Sequence, residues 1–170
     1  IISIDDIDAA VERILTQKKL IGLFEKPLAE PDKAERIVGC REHKELAKEL
    51  AEKSVSCIKS EDMPLDKDKK TLVVCIEPQK LAAAEDSEQC VDMLYKAVKK
   101  RFSNVDGIVA GLEPEADETK RISAMAENYD VIIIGSCNTI LYKTQAELIN
   151  NLLKTDKTVI VTAMDSPYDY

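Results

Sequence analysis

Beyond residue 70 the chain repeats one pattern: a short aliphatic run, then a helix-length amphipathic stretch, then another aliphatic run. The runs fall at residues 72–76, 105–110, 131–134 and 158–162. Val131-Ile132-Ile133-Ile134 is the strongest of them. Leu72 to Ile76 is continuous, which predicts a strand buried on both faces, as in parallel sheets, and the other three runs read as further strands. Parallel neighbours cannot be joined by tight turns and need crossover helices. The stretches between the runs supply these: Val91, Leu94, Val98 and Phe102 behind a Ser87 cap, Ile122 and Met125 within 117–128, and a helix over 144–153. The expected fold is an α/β, three-layer α/β/α sandwich with a mainly parallel sheet.

The first 70 residues read differently. Ser3 and Asp6 make a capping-box start, with Asp a shorter stand-in for Glu, and Ile7, Val11, Ile14 and Leu15 follow at helical spacing. Gly22 ends that helix, and Pro27 and Pro31 predict an extended linker. A second helix is predicted over 41–54 with Leu46, Leu50 and Ala51 inward, then a turn at Met63-Pro64-Leu65. The first helix carries an apolar stripe with nothing nearby in sequence to cover it, so it needs a partner.

Composition removes several function classes. A net charge of −8 disfavours nucleic acid, which requires concentrated Lys and Arg. The one basic cluster, Lys99-Lys100-Arg101, ends a predicted helix and complements its dipole. No apolar run reaches the ~18 residues that would span a membrane. The five cysteines form no CxxC pair and the single His43 has no ligand at workable spacing, so no metal is expected. The free thiols lean towards a reducing, cytoplasmic setting but leave a secreted or envelope parent open. No cofactor is expected. The turn after the first run, Glu77-Pro78-Gln79-Lys80, lacks the glycines that bring backbone onto pyrophosphate, and no phosphate loop occurs. A Gly-x-Ser-x-Gly nucleophile is absent too. Cys137, at a strand end, has no base nearby in sequence and reads as a partly buried thiol.

Three stretches are more specific. Residues 8–25 (DAAVERILTQKKLIGLFE), residues 43–64 (HKELAKELAEKSVSCIKSEDMP) and residues 157–169 (KTVIVTAMDSPYD) occur in that order. Together they resemble glycoside hydrolase family 3. The first is similar to the helix that closes the catalytic barrel. The second is similar to the segment that opens the C-terminal sandwich domain, with His43, Leu46, Ala47, Ser54, Lys59 and Pro64 in register. The third, with its Pro-Tyr-Asp, is nearest the bacterial β-N-acetylhexosaminidase branch.

The resemblance implies a division into residues 1–24 as the last helix of a barrel otherwise absent, 25–40 as a linker, and 41–170 as an incomplete sandwich cut at its C-terminal end. It also implies a retaining mechanism, which needs a nucleophilic carboxylate and a proton donor flanking the glycosidic bond. The family's nucleophile, an Asp on a barrel strand, has no counterpart here. The β-glucosidase members take a Glu from a long sandwich loop, but here the loop over 135–143 is short and carries no acid. The hexosaminidase branch uses a His and Asp pair from a barrel loop, also lacking. No catalytic residue is therefore expected in this chain. Glu113 and Glu115 read as exposed charges leading into a helix, and His43 as a structural hydrogen-bonding group.

Strand ends at the carboxyl edge of the sheet offer candidate substrate contacts: Glu77, Asn138 and Asp165. The implied partners are the parent's own barrel and, through it, a glycan; the exposed sheet edge also offers a route to self-association. Two readings from other classes stand beside this one: an independent small-ligand or nucleotide-binding α/β domain, and a structural or dimerising domain. Within the family, a β-glucosidase parent is the alternative.

Overall fold

Four aliphatic runs become four strands, β1 (Thr71–Ile76), β2 (Val105–Ala110), β3 (Val131–Ser136) and β4 (Thr158–Ala163), in a computed structural model that describes residues 2–59, 61–77, 91–164 and 169. The sheet order is β2-β1-β3-β4 and every neighbouring pair is parallel. Register is continuous across the centre: Leu72 pairs with Asp106 on one side and Ile132 on the other, and Ile132 pairs in turn with Val159. Burial follows strand position. Every residue of β1 and β3 is buried, β4 is mostly half-buried, and β2 is buried only at Ala110.

Among the described residues six helices accompany the strands: α1 (Ile4–Leu20), α2 (Pro31–Ile37), α3 (Arg41–Ser54), α4 (Met93–Lys99), α5 (Ala116–Ala126) and α6 (Lys143–Leu153). The step from β1 to β2 runs outward in one direction, and the steps to β3 and β4 run in the other. Right-handed crossovers then place α4 on one face and α5 and α6 on the opposite face. The two apolar clusters agree. Leu72, Val74, Ile132 and Ile134 pack with Ile122, Leu148 and Leu152, while Val73, Cys75, Val131 and Ile133 pack with Leu94, Tyr95 and Val98. The fold is the expected three-layer α/β/α sandwich, and burial pushes the Cys75 thiol up from its ordinary range. The Ser87 cap expected ahead of α4 lies outside the described residues.

Gly107 shows how tightly the second cluster is built. A Cβ at this position would stand 2.5 Å from Cδ2 and 2.6 Å from Cγ of the Tyr95 ring. The ring of α4 thus lies directly on the β2 backbone.

The chain divides into two compact units, Ile1–Lys59 and Ser60–Tyr170. In the first, Ser3 and Asp6 form the expected capping box: the Asp6 amide donates to Ser3 Oγ and the Ser3 amide to Asp6 Oδ2, each at 3.1 Å. Gly22, at φ +72°, ends α1 with its amide on the Lys19 carbonyl and that of Leu23 on Lys18.

Two expectations fail in this unit. The stretch read as an extended linker contains α2, because Pro31 takes the first helical turn, where the missing N–H costs nothing. Leu46 and Leu50, expected inward, are 54% and 60% exposed. Along α3 the Arg41–Glu45, Lys48–Glu52 and Lys53–Glu49 pairs at i,i+4 each lend a few tenths of a kcal/mol. None of the three helices of this unit buries a residue. No helix among the described residues is long and apolar enough to cross a membrane.

Candidate functional site

In a parallel sheet the strand carboxyl ends gather the loops, and this edge is where ligands are held. Here the order reverses between β1 and β3, so their carboxyl ends flank the switch point. Glu77 follows β1. It is exposed, and its amide donates to the Ala110 carbonyl at 2.9 Å, extending the β1–β2 ladder. Asn138 follows β3 in the left-handed region at φ +52°, a conformation Asn tolerates better than most residues. Its carbonyl accepts from the amides of Leu141 at 2.9 Å and Tyr142 at 3.0 Å, which closes a tight turn into α6. The two candidates therefore lie on neighbouring strands at one edge. Asp165, the third, lies outside the described residues.

Two residues that sequence reasoning missed organise this edge. Gln145, in the first turn of α6, is fully buried. Its Oε1 accepts from the Cys137 amide at 3.0 Å, while Nε2 donates to the carbonyls of Leu112 at 2.7 Å and Cys137 at 3.0 Å. One side-chain amide thus joins the β2–α5 loop to the β3–α6 loop. The signal was in the sequence: Gln145 opens the stripe Leu148, Ile149, Leu152 at helical spacing, a polar group where an apolar one belongs. Asp169 is the second. It is 9% exposed, and its Oδ1 accepts from both the amide of Thr139, at 2.9 Å, and its hydroxyl, at 3.0 Å. It is the Asp of the Pro-Tyr-Asp stretch, whose Pro167 and Tyr168 lie outside the described residues.

Between these ties the edge is polar and only partly satisfied. Ser136 Oγ, Thr144 Oγ1 and Asp169 Oδ2 are buried with no hydrogen-bond partner among the described residues. Below them Gly135 admits no side chain without displacement, since a Cβ would come within 2.9 Å of Met164 Sδ and 3.6 Å of Leu94 Cδ2. The Met164 amide and the Thr162 hydroxyl donate to the carbonyls of Ser136 and Ile134 and bind β4 to β3 here.

The other candidates are placed plainly. Glu113 and Glu115 are exposed at the entrance to α5, as expected. His43 is exposed on α3, and no side-chain hydrogen bond of the kind expected of it occurs among the described residues. Cys137 is buried, not partly buried, at the end of β3. Among the described residues no group of three metal-ligating side chains occurs.

No family model matches the chain. It is 29% identical to a β-xylosidase from Formosa agariphila over 193 aligned residues, 94% of this chain and 26% of that protein. Its fold superposes on a family 3 β-N-acetylglucosaminidase from Paenibacillus sp. with a TM-score of 0.76 at 24% identity, over 99% of this chain and 32% of that one. A fungal multi-domain family 3 β-N-acetylglucosaminidase follows with a TM-score of 0.60 at 23% identity, over 77% of this chain and 15% of that one. The resemblance read in the sequence therefore holds in the fold. The chain spans about a quarter of its curated relative and a third of the first structural one.

Proposed function

We propose that this chain is a non-catalytic C-terminal portion of a family 3 glycoside hydrolase, and that the whole protein is a retaining β-N-acetylhexosaminidase acting on N-acetylglucosamine-containing glycans. The observation that carries the reading is the TM-score of 0.76 over 99% of the chain to a 32% share of a β-N-acetylglucosaminidase. In this reading residues 1–24 belong to the last helix of a barrel, 25–40 are the linker and 41–170 the sandwich. The exposed stripe of Ile7, Val11, Ile14 and Leu15 on α1 is the face a barrel would cover.

The chemistry at the carboxyl edge supports the non-catalytic role. A retaining glycosidase sets two carboxyl groups about 5–5.5 Å apart around the bond to be cut. Glu77 is exposed, and Asp169 spends one oxygen holding Thr139. The edge suits a wall of the substrate cleft, with Glu77, Asn138 and Asp165 as its contacts, while nucleophile and acid come from the barrel.

The 29% identity to a β-xylosidase favours a second reading, in which the whole protein cleaves β-xylosides. A panel of aryl β-glycosides given to the whole protein and to residues 1–170 separates them. Release from the N-acetylglucosaminide by the whole protein alone is the expected result. Preference for the xyloside selects the second reading, and hydrolysis of any member by residues 1–170 alone overturns the non-catalytic role.

A further inference from the structure

We propose that Asp169 is a positioning residue for the loop that carries Asn138, so that a side chain touching no ligand sets how tightly the whole protein holds its glycan. The proposal rests on the reading of the carboxyl edge as a cleft wall. The loop over 137–142 contains no glycine, yet it turns through a left-handed residue at Asn138. Single residues held there persist only where their surroundings over-determine them. Two surroundings do so, and they differ in kind.

Gln145 holds the loop from beneath. Its amide is fully buried and engaged by three hydrogen bonds to backbone, so it belongs to the packing of α6 on the sheet. Asp169 holds the loop from the outside, reaching it from beyond the end of β4 and outside the sheet ladder. Both donors of Thr139 converge on one carboxylate oxygen, which fixes the backbone and the side-chain rotamer of that residue together. Thr139 is the next residue after Asn138, so the peptide between them is set by this contact. Loss of Asp169 frees the outer half of the loop and leaves the Gln145 tie and the sheet intact.

The test compares Asp169→Ala, Asp169→Asn and Asn138→Ala in the whole protein, on whichever aryl glycoside the panel selects. For Asp169→Ala we expect KM to rise about tenfold with kcat little changed, the signature of lost uniform binding. The Thr139 amide should exchange with solvent about tenfold faster, while amides of β1 keep their protection. Asp169→Asn should restore most of both, because its carbonyl oxygen still accepts from Thr139. The proposal is overturned if Asn138→Ala raises KM but Asp169→Ala does not. It is also overturned if exchange quickens evenly through β1 and β3, the mark of general destabilisation. If Asn138→Ala itself leaves KM unchanged, the cleft-wall reading has failed and the proposal falls with it.

Discussion

The two units of this chain hold their secondary structure by different means. In Ile1–Lys59 the helices stand on local interactions: a capping box at Ser3, a glycine stop at Gly22 and i,i+4 ion pairs along α3, with no buried residue in α1, α2 or α3. In Ser60–Tyr170 the strands stand on burial, and β1 and β3 are buried along their whole length. Local terms are each worth tenths of a kcal/mol to about one, whereas burying a single large aliphatic side chain is worth about 1.5–3 kcal/mol. The second unit is therefore built to be stable in a way the first is not, and the apolar stripe of the first is available for a covering surface.

Paired truncations should expose this contrast most strongly. Ile132→Ala opens a cavity at a fully buried position of β3 and should cost about 2–5 kcal/mol in urea unfolding followed by circular dichroism. Leu46→Ala, at a 54% exposed position, should stay within about 0.5 kcal/mol. Equal costs would break the contrast. A smaller effect is expected from Ser3→Ala, which removes one arm of the capping box and should cost α1 about 1 kcal/mol, read as faster amide exchange in its first turn with β3 unaffected. Protection lost in β3 as well would tie the two units into one cooperative whole.

The mildest test is a titration. Burial first, and the hydrogen bond donated to Asp106 Oδ2 at 2.8 Å second, push the Tyr129 phenol up from 10.0. The folded state then retains a proton that the unfolded chain releases. This stabilisation is complete below pH 10.0 and is lost as pH rises towards the higher folded value. The urea midpoint of the wild type should fall more steeply above pH 10.0 than that of Tyr129→Phe. Parallel curves would mean that the phenol carries none of the alkaline sensitivity of the second unit.

The same contrast explains what the sequence made legible. Strands announced by unbroken runs such as Val131-Ile132-Ile133-Ile134 were readable because their burial is written into consecutive residues. The helix over 144–153 was readable as the crossover that two such parallel runs require. Pro31 misled because proline marks both an extended linker and a first helical turn, and only the surrounding backbone separates them. Leu46 and Leu50 misled because periodicity reports a face that could be buried, not one that is. At the carboxyl edge, Glu77 and Asn138 could be placed from strand ends alone. Gln145 stood out only as a polar residue opening the apolar stripe of α6; its meeting with Leu112, 33 residues away, and that of Asp169 with Thr139, 30 residues away, no local pattern encodes.

The Tyr95 ring over Gly107 has a consequence on another timescale. Because the aromatic carbons already occupy the space of a Cβ, Gly107 cannot gain a side chain while Tyr95 keeps its ring in place. Over descent the two should vary as a pair, an aromatic on α4 accompanied by glycine on β2, a smaller residue on α4 by a larger one on β2. Substitution histories should couple them across the 12 residues that separate them in the chain, as the imprint of one contact.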